Sequence, residues 1–213
     1  RPSVMVDYRL PDSNDLTLLA ATRVLRDERA WPIRQEAPML FSERSIWTMV
    51  HGIGLGGGAL LGVAAALFYL YAARPSDGAA APPGSGALAG ATALSAVLLW
   101  LTVIVGTYVI FPPYRVTPPA GLTDLSEFPR AFVLASPSTA WLHAFAMESK
   151  EHMPWIASML TTAVAFVTVR YRSRVLQIAS LRSLSMALLA ISFALVAFVS
   201  LLGVFVNKVA PLD

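Results

Sequence analysis

From Ser45 to Ala73 the chain reads SIWTMVHGIGLGGGALLGVAAALFYLYAA, without one charged side chain. A bilayer core is ~30 Å thick, and a helix needs about 20 apolar residues to cross it. This run is long enough to span with some tilt. In lipid the backbone has no water to bond to, so a single crossing segment must be helical. The same run holds His51 at the head of a glycine series, with Gly54, Gly58 and Gly62 at i+3, i+7 and i+11. On an ideal helix of 3.6 residues per turn these four share one face. The expectation is a flat groove of backbone with an imidazole at one end.

The rest of the chain repeats the apolar pattern. Of its 213 residues 56% are hydrophobic and 14% charged, against about 25% charged in soluble domains. The apolar residues are blocked into four predicted spans, near 46–73, 87–111, 140–169 and 183–207. The predicted fold is all-α, an integral membrane four-helix bundle over residues 45–213, preceded by a short extramembrane arm over residues 1–44. That arm is broken by Pro2, Pro11, Pro32 and Pro38, with one short helix expected from Leu16 to Arg29 behind an Asp15 cap. The chain begins with Arg1, so a leader or longer N-terminus is expected to have preceded it. The net charge of +3 comes from arginines that flank apolar blocks, the pattern of a membrane protein and not of a nucleic-acid binder. Arginines stand on both sides, and the count leans to a cytoplasmic N-terminus. There is no cysteine, which excludes disulfides, thiolate metal sites and covalently attached haem.

Span counting places all three histidines, His51, His143 and His152, toward one membrane face. Two imidazoles from facing helices suit the axial positions of a b-type haem, and Gly54, Gly58 and Gly62 would give its macrocycle a slot. The reading pairs His51 of the first span with His152 of the third, and His143 is the alternative ligand. His152 lies deeper along the third span than His143, matching the depth of His51. Glu148, one turn before it, is placed to orient its second ring nitrogen. The other reading of the glycines is close helix packing, the common use of small residues at this spacing in membranes. Glu148 and His152 also share a face at i,i+4 and, with Glu151, offer either a metal site or a proton relay toward a quinone. Tyr114 and Arg115 end the second span on the same side, where an arginine fork suits a propionate. Gly52 to Gly57 fits GxGxxG but lies inside a span with no preceding strand, which rejects a nucleotide site.

The stretches GTYVIFPPYR, residues 106–115, and WLHAFAMESKEHMPW, residues 141–155, resemble a group of small, poorly characterised bacterial membrane proteins. There a PxYR stretch ends one span and a MExKEH stretch opens the next. The resemblance implies that Tyr114, Arg115, Glu148, Lys150, Glu151 and His152 form one unit at one membrane face. Histidines in two spans also give a likeness to four-helix cytochrome b subunits. The function expected is a subunit of a bacterial inner-membrane electron-transfer complex. It would hold haem b between the first and third spans, exchange electrons with a quinone, and have other membrane subunits and the lipid bilayer as partners. The alternative is a structural or assembly subunit with no cofactor of its own.

Overall fold

The computed structural model describes residues 41–73 and 84–210. The N-terminal arm and its expected helix lie outside these residues. Among the described residues four helices are long and apolar enough to cross a membrane: Glu43–Ala72, Ser85–Tyr114, Pro137–Tyr171 and Ala179–Val209. The chain is an all-α, multi-pass four-helix bundle. Each span packs on the next, and the fourth closes on the first. The first and third therefore face each other across the centre, as do the second and fourth.

Local chemistry sets the ends. Ser42 caps the first span, its Oγ accepting the Ser45 N–H at 3.1 Å with Glu43 in the first turn, as the helix dipole favours. Gly84 opens the second span at φ 102°, and the Tyr69 ring fills the place its side chain would take, so only glycine fits there. Ser136 caps the third span ahead of Pro137, a proline placed where its missing N–H costs nothing. A short helix, Ser173–Gln177, links the third span to the fourth. Arg182 Nη1 then donates to the Ala73 carbonyl at 2.7 Å, tying the fourth span to the end of the first.

The interior sets small hydroxyl residues among aliphatic clusters, and many large apolar side chains face outward. Thr92, Ser95, Ser158, Thr161, Thr168, Ser185 and Ser192 are buried, while Ile53, Leu61, Phe68, Leu94, Phe166 and Leu201 are exposed. Lipid tails solvate large apolar side chains as well as protein does, so membrane helices associate through close packing and interhelical hydrogen bonds. Thr92 and Thr168 join the second and third spans at 2.7 Å. Thr161 and Ser192 join the third and fourth at 2.6 Å. Trp100 Nε1 donates to Thr162 Oγ1 at 3.0 Å.

Three spans carry π-helical turns, at Val50–Gly57, Gly106–Ile110 and Leu142–Met147. All three lie toward the face where the first and third spans begin and the second ends. Such turns are rare and cluster at functional sites.

A layer of two bases and two glycines

One residue from each span, two bases and two glycines, lies toward that face in two pairs. The first and second spans are joined through His51 and Gly106. A Cβ built on Gly106 would stand 2.8 Å from His51 Cε1 and 3.5 Å from each ring nitrogen. The imidazole occupies the space that the glycine leaves. Across the centre, the third and fourth spans repeat the arrangement. A Cβ on Gly203 would stand 3.1 Å from Lys150 Nζ. Two basic side chains on facing spans are thus each seated on a glycine of a neighbouring span.

Neither base is well paired. His51 Nδ1 is buried without a hydrogen-bond partner, though the Thr102 backbone approaches the ring. Lys150 is half-buried, and no carboxylate among the described residues pairs with its ammonium. The two bases stand on facing spans, both toward the end of the bundle where the first and third spans begin. Buried polar groups are nearly always satisfied, and ionisable groups at membrane depth are costly. Pro154 adds a local opening: it has no N–H to give the carbonyl four residues back, which is that of Lys150.

The glycines of the first span divide between two roles. A Cβ on Gly58 would meet Leu98 at 3.3 Å, and one on Gly62 would meet Ser95 Oγ. Both pack against the second span. Gly54 has open space around it, and Gly56, which is buried, takes the inward position beside Thr102. The expected shared face of His51, Gly54, Gly58 and Gly62 is therefore broken. A π turn bonds i to i+5, so face arithmetic on 3.6 residues fails across Val50–Gly57.

The remaining expected residues lie nearby but apart. His152 is exposed, with its Nδ1 2.8 Å from the Glu148 carbonyl of its own helix. Glu148 is exposed and Glu151 part-exposed. His143 Nδ1 bonds the Tyr114 hydroxyl at 3.1 Å. Tyr114 also stacks on Phe111, with centroids 6.1 Å apart. Arg115 extends over the Phe111 ring at 5.3 Å. Among the described residues no three His, Asp or Glu side chains gather as a metal site.

A haem between the first and third spans would need the glycine face open and an inward His152. Leu98 and Ser95 fill that face at Gly58 and Gly62, and His51 lies on Gly106. These residues do not form a haem cleft. Sequence reasoning passed over Gly106, Gly203 and Arg130, and placed Lys150 in a unit without a role of its own. The one signal for Lys150 was a lysine followed closely by proline at the polar start of an apolar helix.

No protein family, curated protein or solved structure matches the chain.

Proposed function

We propose that this chain is a proton-handling subunit of an inner-membrane electron-transfer complex in bacteria, with His51 and Lys150 as its proton site. The observation that carries the reading is the layer itself. Two bases with no acidic partner among the described residues are held on glycines of neighbouring spans, near one face. A membrane bundle gains nothing in stability from such a layer; ionisable residues held at this depth mark proton and ion pathways. Quinone reduction at a membrane face takes up protons with electrons, and a base pair near that face is suited to deliver them. Glu148 and Glu151, toward water on the third span, are the proposed relay from bulk solvent. The electron donor, the quinone and the neighbouring subunits belong to the complex and not to this chain.

The test is pH-difference infrared spectroscopy of the chain reconstituted in lipid. Imidazole bands are expected that vanish in His51→Gln and shift in Lys150→Met. Bands unchanged in both variants would overturn the reading and leave the structural or assembly role. A b-type α band in the visible spectrum of the purified chain would also overturn it, in favour of electron transfer through this subunit.

A further inference from the structure

The connection between the second and third spans holds a second unexplained group. Its short helix, Pro129–Leu134, is anchored by buried Pro129 and by Val133, which is 0% exposed. That anchoring fixes Arg130 between them. Arg130 Nε is buried and has no hydrogen-bond partner among the described residues. Val133 of the same helix packs in one apolar cluster with Tyr114, and the Tyr114 hydroxyl is bonded to His143. Phe111 stacks on Tyr114, with Arg115 over the Phe111 ring. Glu151 of the third span does not satisfy Arg130 Nε.

A guanidinium presents a planar fork that matches phosphate or carboxylate bidentately. The apolar setting chooses between the possible carriers of such a group. The same connection, outside the spans, exposes Val116, Leu122, Phe132 and Leu134. Exposed apolar side chains beside cationic ones suit the boundary between headgroups and acyl chains. Basic pockets between membrane helices take anionic lipid headgroups. We propose that Arg130, beside the Tyr114–His143 pair, binds the phosphate of an anionic lipid at this face. The site is independent of the His51–Lys150 layer and stands or falls alone.

Native mass spectrometry tests it, with the chain in neutral detergent and equal amounts of phosphatidylglycerol and phosphatidylcholine of the same acyl chains. The wild type is expected to retain phosphatidylglycerol in preference. Arg130→Gln should reduce that preference by about tenfold, the weight of one charge-assisted hydrogen bond. Arg130→Lys, which keeps the charge and loses the fork, should fall between them. It carries the test if the glutamine variant loses helicity. Equal preference in wild type and Arg130→Gln overturns the site. Displacement of the lipid by millimolar inorganic phosphate, with no lipid preference left, overturns the lipid and assigns the site to free phosphate.

Discussion

Replacing Gly106 by alanine places a methyl 2.8 Å from His51 Cε1. Carbon atoms in good contact stand about 3.5–4.0 Å apart, so ring and helix must separate by roughly 1 Å. The second span is poorly placed to retreat, because Thr92 and Trp100 tie it to the third. Overpacking of this kind costs about 1–3 kcal/mol. Alanine for glycine also favours a helix by about 0.5–1 kcal/mol, which obscures the single measurement. Gly54→Ala supplies the reference, since a Cβ there meets nothing within 4 Å. The propensity gain is common to both variants and cancels in their difference. Gly106→Ala should therefore be less stable than Gly54→Ala by about 1–3 kcal/mol, read from unfolding in mixed micelles. In a His51→Ala background the difference should largely disappear, because the double-mutant cycle removes the contact itself. Equal stability of the two variants, or a penalty that survives His51→Ala, would refute the seating of the imidazole on Gly106.

Lys150→Met keeps the stem and removes the unpaired ammonium, so it should stabilise the bundle by about 1–3 kcal/mol; destabilisation in the same assay would contradict the unpaired site. Thr161→Val breaks the 2.6 Å bond to Ser192 and should cost only about 0.6 kcal/mol, the average for such bonds in a membrane, with a cost above about 2 kcal/mol counting against it. In the connecting loop, the Ser126 backbone N–H and then its hydroxyl hold the Asp124 carboxyl below its ordinary range. That lowered folded pKa means the turn's contribution is present above the unfolded value of ~3.9 and is lost as pH falls through the folded one. The Ser126 amide resonance should follow this titration, and a midpoint at or above the unfolded value would contradict it.

The spans were legible because each depends on composition along one helix. Glu43–Ala72 and Ser85–Tyr114 lie within a few residues of the ranges read from the apolar runs. The third span begins at Pro137, earlier than its apolar core, because Ser136 and Pro137 start a helix whatever follows. The close-packing use of Gly58 and Gly62 was also legible as one of two readings, and the facing residues are Leu98 and Ser95. What the sequence hid is relational. Nothing along the second span announces that Gly106 faces His51, nor along the fourth that Gly203 faces Lys150. The π turn at Val50–Gly57 exchanges Gly54 for Gly56, and no periodicity count includes a turn of that kind. Arg130 was hidden by its setting in a proline-rich connection, where charge is ordinarily solvated.

The central claim is that His51 and Lys150 act as one proton site. The chain has two lysines, Lys150 and Lys208, so Lys208→Arg leaves a single lysine signal. With lysine labelled at the ε carbon, nuclear magnetic resonance can follow Lys150 alone against pH in wild-type and His51→Gln backgrounds. Interacting groups share macroscopic titration steps, so the account predicts that the Lys150 midpoint moves when His51 is replaced. Superimposable curves in the two backgrounds would contradict it.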